Sequence, residues 1–164
     1  MSPIASIEQI ARSEDRARAI VFFLFFARFE YALKRVGFFT RGKGEVKADW
    51  QKYAGSVADL VTENNEERFR AAVDLLKSKP PKKQVVSDGR LDWSDDNDTS
   101  FNLARIFVLV RRVRNNLFHG GKFTKAPEAD ISRDQKLLDA GIIIMQACLD
   151  FDEQLRHYFL EDLA

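Results

Sequence analysis

The chain has 164 residues, 45% hydrophobic and 31% charged, with a formal net charge of +1. That length suits one domain with a single core. The near-zero charge excludes a polycation that holds nucleic acid by its overall field, so any affinity for phosphate needs a local patch.

Taken in chain order, the opening "MSPIASIEQIARSEDRARA" has mixed charges and no apolar h-region, and is not expected to be a signal peptide. Residues 14–36 predict a first long helix without Gly or Pro. Its middle, "AIVFFLFFARF", is apolar for roughly ten residues, whereas a membrane span needs about 20. It is expected to be a core helix with more than one face buried and with no membrane role. Glu30 stands in this otherwise apolar stretch, and Gly37 is the expected C-cap. After the loop "FFTRGKGEVKA", Asp49 predicts an N-cap for "WQKYAGSVADLVTE". Asn64 or Asn65 is expected to cap "EERFRAAVDLLKSK", with Phe69, Val73 and Leu76 facing inward.

The stretch "PPKKQVVSDGRLDWSDDNDTS" lacks helical periodicity and reads as a long loop with room for a short strand at Gln84–Val86. "KPPKK" and "SDDND" are expected to be solvated, the latter adding a helix cap. It lacks the glycine and terminal glutamate spacing of a calcium loop. Asp98 or Thr99 is the expected cap of the next helix, which runs to residue 119. Following the loop "GGKFTKAPEADI", Ser132 and Gln135 form a candidate capping box. The last helix then covers about 133–162, with a bend expected at Gly141. Trp50 and Trp93 suit core edges or lids, and His157 a helix surface or packing position. The lone Cys148 reads as a small core hydrophobe, and a chain with one cysteine fits a reducing cytoplasm. These elements predict an all-α fold: one domain over residues 1–164, an antiparallel bundle of about five helices, three of them long.

The helix holding "FNLARIFVLVRRVRNNLFHGG" carries the chemistry. At 100° per residue, Leu103, Phe107, Val110, Arg114 and Leu117 fall within about 40° of one another. Arg114 therefore lies on the apolar stripe, where a guanidinium that cannot be neutralised is costly unless paired. Glu30, stranded on another core helix, is its first candidate partner. Arg111, Asn115 and His119 share a second face at i, i+4, i+8. Arg114 and His119 are roughly 7.5 Å apart along the axis, and Gly120 and Gly121 leave space beside the imidazole. Histidine moves protons near neutral pH, arginine grips phosphate oxygens, and an amide orients either the histidine or a ribose hydroxyl. Those functions suit transfer at an RNA phosphodiester and need no metal or other cofactor. A plain helix end, with basic residues against the dipole and glycine after the last turn, produces a similar pattern.

"RNNLFHGGK" resembles the signature of HEPN domains, the higher eukaryotes and prokaryotes nucleotide-binding superfamily: Arg, four to six residues, then His, often with a polar residue after the Arg. The form here, Arg114-Asn115-Asn116-Leu117-Phe118-His119, is also that of the RNA-cleaving effectors of CRISPR systems. The resemblance implies a four- or five-helix bundle that dimerises. It also implies metal-independent endoribonuclease activity, often within toxin–antitoxin or antiphage systems and hence with an antitoxin protein as partner. Arg114 and His119 carry over as catalytic and Asn115 as their supporting polar residue. Arg111, Arg112 and Lys122 are the expected contacts to flanking phosphates of RNA. Two other readings stand beside this one: a non-catalytic HEPN module that binds RNA or a partner protein, and an unrelated helical scaffold.

Overall fold

The computed structural model describes residues 4, 14–42, 44–118, 128–161 and 163. Helix α1, Glu14–Val36, fills the span that its uninterrupted apolar run predicts. Phe22, Phe26, Phe29 and Leu33 follow one another at helical spacing and are fully or almost fully buried. The helix closes as a Schellman motif: Gly37, at φ +106°, donates to Lys34 O (3.2 Å), and Phe38 N–H donates to Leu33 O (2.9 Å). Only one face of its first half is covered, which corrects the expected burial on several faces. Ile20, Val21 and Leu24 are 50%, 46% and 61% exposed.

Asp49 caps α2, Trp50–Ser56, by accepting Lys52 N–H at 3.0 Å. The helix expected to continue through residue 63 is broken after Ser56 and resumes as the single turn α3, Leu60–Glu63. Helix α4, Glu67–Ser78, has Glu66 as its N-cap residue without a side-chain cap bond. Asn64 stands two residues earlier and accepts Glu66 N–H at 2.8 Å.

The next segment holds the short strand expected at Gln84–Val86, and pairs it with a second strand that was not expected. Strands β1, Lys83–Ser87, and β2, Arg90–Ser94, form an antiparallel hairpin with Gln84 opposite Trp93. Its two-residue loop, Asp88-Gly89, has φ +48° and +71°. These are the two positive angles of a type I′ turn, whose twist matches that of the strands.

Helix α5, Leu103–Phe118, is capped by Asn102, whose side-chain oxygen accepts Arg105 N–H at 2.8 Å. Asp98, the expected cap, accepts Ser100 N–H instead. Helix α6, Glu128–Phe151, starts before Ser132 and so replaces the expected capping box there with helix interior. The chain breaks at Asp152 rather than at Gly141. Asp152 leaves helical geometry and caps α7, Glu153–Leu160, by accepting Leu155 N–H at 2.9 Å.

The described part of the chain is thus mostly helical, seven helices with one two-stranded hairpin. Helix α6 packs on α4 and α1, α7 packs on α1, and α2 packs on α5. Arg28 explains its own place in the apolar run: its guanidinium takes the carbonyls of Tyr158 (3.2 Å), Phe159 (2.6 Å) and Glu161 at the end of α7. Cys148 is a free, fully buried thiol, and burial pushes its pKa up. Among the described residues no helix is long and apolar enough to cross a membrane.

Gly141 of α6 faces the Phe22 ring of α1. A Cβ there would lie 2.6 Å from Cε2 of Phe22. Gly141→Ala should therefore destabilise the fold by about 1–3 kcal/mol, the range for overpacking a filled core. Adding Phe22→Leu should recover part of the loss, as read from urea midpoints. A single variant as stable as the parent would show that the two helices can part without cost.

Candidate functional site

Helix α5 brings the motif to the surface from inside the core. Leu103, Phe107 and Val110 are buried along the stripe, and Arg114 follows them half-buried. Its guanidinium carbon lies 5.8 Å from the centre of the Phe26 ring, and Nη1 donates to Asn115 Oδ1 at 3.1 Å. Phe26 in turn stacks on Trp50 (5.3 Å), which also stacks on Phe29 and meets Phe107 edge-on. Arg114 therefore caps an aromatic column, a cation over a π-face. Trp50 belongs to the core, and its Nε1–H donates to Glu30 Oε1 at 2.9 Å. The partner that the structure gives Glu30 is this indole, one turn along α1 from the ring beneath Arg114.

A second arrangement on α5 was not legible as a site. Asp96, in the run expected to be solvated, has a side chain with no exposed surface. Arg105 and Arg112, both on α5, pair with it and donate hydrogen bonds to its Oδ2. Lys83 of β1 lies 3.6 Å from Oδ1. Burial alone would raise this carboxyl's pKa. The hydrogen bonds from Arg112 and Arg105 outweigh it and hold the group well below the usual carboxylate range.

The backbone of the basic "PPKK" stretch is tied down, while its lysine side chains stay exposed as expected. Its prolines have no N–H to give, so the carbonyls look for outside donors. Arg133 of α6 donates to Pro80 O (3.1 Å), Arg112 to Pro81 O (3.2 Å) and Asn116 Nδ2 to Lys82 O (3.0 Å). Asn116, at 6% exposure, is thus the buried asparagine of the motif, while Asn115 is exposed.

The expected site residues consequently fall into three groups. Arg114 and Asn115 are adjacent and bonded to each other at the surface end of α5, with Arg111 exposed one turn earlier. Arg112, expected to hold a phosphate, is committed to Asp96 and Pro81. His119 and Lys122, with Gly120 and Gly121, lie outside the described residues. His157 is exposed on α7, its ring edge-on to Tyr158 at 5.2 Å. Sequence reasoning missed the roles of Asp96, Arg105 and Asn116, and of the hairpin it anticipated the first strand but not the second or their pairing. Only the hairpin had a local signal, the Asp-Gly pair between apolar residues.

Comparison with protein-family models, with curated proteins and with solved structures finds no match for this chain.

Replacing Asp96 with Asn would strand two arginines around a neutral amide. Breaking a buried pair by one partner costs about 3–5 kcal/mol, and Asp96→Asn should lower the urea midpoint accordingly at pH 7. Because the folded state depresses this pKa, the carboxylate's contribution is fully present well above the ordinary value of about 4. It is lost as the pH falls through that value toward the lowered one. The gap between parent and variant should therefore be narrower at pH 3 than at pH 7. Equal gaps at both would contradict the ion-pair account.

Proposed function

We propose that the protein is a metal-independent endoribonuclease of the HEPN type, acting as a homodimer. The observation that carries the reading is Arg114: a guanidinium half-buried on an apolar stripe, against Phe26, five residues before His119. An ordinary helix end has no need to seat a permanent cation on its core face. The resemblance of "RNNLFH" to the HEPN signature supplies the reaction class.

In the proposed reaction one His119 takes the proton from a ribose 2′-hydroxyl as O2′ bonds to the adjacent phosphorus. The P–O5′ bond breaks, and the leaving oxygen receives a proton from the second copy's equivalent histidine. Arg114 binds the phosphate and stabilises the charge that builds up on it. Asn115, already bonded to Arg114, steadies that guanidinium and offers its amide N–H to the imidazole or the ribose. Arg111 and Lys122 hold flanking phosphates, which makes binding salt-sensitive. A toxin or antiphage role, with an antitoxin as partner, follows from the resemblance alone.

The dimer is supported by the open apolar face of α1, where Ile20, Val21 and Leu24 are about half exposed or more. Isologous pairing would cover such a face on both copies at once. Light scattering at micromolar concentration should give a dimer, and Leu24→Glu should shift it to monomer. A parent chain that is monomeric throughout would remove the composite site.

Losing a general acid–base typically costs about 10²–10⁴ in rate. His119→Ala should lose cleavage of single-stranded RNA by that factor while keeping its fold. Arg114→Ala should do the same, and DNA of the same sequence should stay whole for want of a 2′-hydroxyl. Undiminished cleavage by His119→Ala, or abolition by EDTA, would overturn the reading.

A further inference from the structure

Between β1 and α5, beside Asn115, lies a cavity of about 350 Å³ walled by Lys83, Gln84, Val85, Arg112, Asn115 and Asn116. That size is at the small end of ligand pockets, too small for a helix or strand of a partner. Its polar groups are unequally engaged. Arg112 and Lys83 both face the buried carboxylate of Asp96, and Asn116 gives its amide N–H to Lys82 O. Asn115 has its oxygen taken by Arg114, which leaves its amide N–H₂. Gln84 is the exception to a well-satisfied neighbourhood: its Nε2 is buried and has no hydrogen-bond partner. A buried amide donor with no acceptor is costly, so the fold keeps it at a loss unless something else fills the bond.

We infer that this cavity is a base-reading subsite for RNA, selecting a keto base, uracil or guanine, next to the phosphate held by Arg114. In taking RNA as the source of the base, the inference rests on the nuclease reading above. Two neutral donors remain: Gln84 Nε2 and the second N–H of Asn115 Nδ2, the one not given to the imidazole or the ribose. Neutral donors match an acceptor-only edge, such as O4 of uracil or O6 and N7 of guanine. They do not match the amino groups that cytosine and adenine present at the equivalent positions. Arg112 and Lys83 on the wall are both turned toward Asp96, so the groups left for an occupant are the two neutral donors. Trp93 stands directly across the hairpin from Gln84, and the next pair outward on that face, Val86 and Leu91, is 79% and 68% exposed. An aromatic and apolar strip beside a donor is the combination that single-stranded RNA recognition uses.

Uridine and cytidine differ at one keto or amino position and carry no phosphate, so they isolate this choice. In a ¹⁵N-resolved NMR titration of the intact chain, uridine should shift the Gln84 side-chain amide signals, identified by their loss in Gln84→Ala. Cytidine should need about tenfold more for the same shift. Gln84→Glu, which turns the donor into an acceptor, should reverse the order. In parallel, fragment ends from a random RNA should be enriched about tenfold in G and U over A and C at one position flanking the cut. Equal responses to both nucleosides, no response, or the same response to inorganic phosphate alone would overturn the subsite. A chain that prefers uridine but cuts no RNA would refute the nuclease reading and leave the subsite. Cleavage without base or nucleoside preference would do the reverse.

Discussion

The buried carboxylate of Asp96 is the constraint on which the rest of the surface depends. It lies on the segment leading from the hairpin to α5, and it gathers Arg105 and Arg112, about two turns apart on that helix, together with Lys83 from the first strand. Three cations around one anion would be an unfavourable cluster in a dry interior. Here each is held by a hydrogen bond or by proximity to the carboxylate, and Arg112 also reaches a proline carbonyl. The result is a hairpin fixed against the motif helix without an apolar core of its own. Two-stranded hairpins are marginal when left alone, so the polar clamp does the work that packing does elsewhere in the chain.

That clamp also sorts the basic residues of α5. Four arginines stand on α5: Arg105, Arg111, Arg112 and Arg114. Arg105 and Arg112 serve the fold. Arg111 is exposed, and Arg114 sits on Phe26 with Asn115 as its neighbour. A charge count along the helix treats all of them as one basic patch, whereas the geometry leaves only the second pair outside the Asp96 clamp. The two asparagines divide in the same way. Asn116 secures Lys82 O and the course of the backbone, while Asn115 is placed at the surface beside the guanidinium.

How much of this was legible follows from the range of the interactions involved. Helix α1 could be read to the residue because its determinants are local: a continuous apolar run and a glycine that closes it. The Asp49 cap was legible for the same reason. The hairpin carried a local signal too, Asp88-Gly89 in "VVSDGRLDW", but the surrounding prolines, lysines and aspartates outweighed it, and the segment read as a loop with one short strand at Gln84–Val86 and no partner strand. Asp96 could not be found from sequence. One aspartate in an acidic run is chosen for burial only by where Arg105 and Arg112 lie in space. The position of Arg114 on the apolar stripe was legible from 100° periodicity, yet its seat on Phe26 needed the packing of α1 against α5. Trp50 as the partner of Glu30 likewise depended on where α2 docks.

The central claim is that RNA is cut by attack of its own 2′-hydroxyl, with a histidine moving the proton and an arginine holding the phosphate. The chemistry of the new ends tests this most directly. An end-labelled RNA oligonucleotide incubated with the protein in EDTA, and read by mass spectrometry, should yield 2′,3′-cyclic phosphate and 5′-hydroxyl termini. Fragments ending in 3′-hydroxyl and 5′-phosphate, the products of attack by water, would contradict the account.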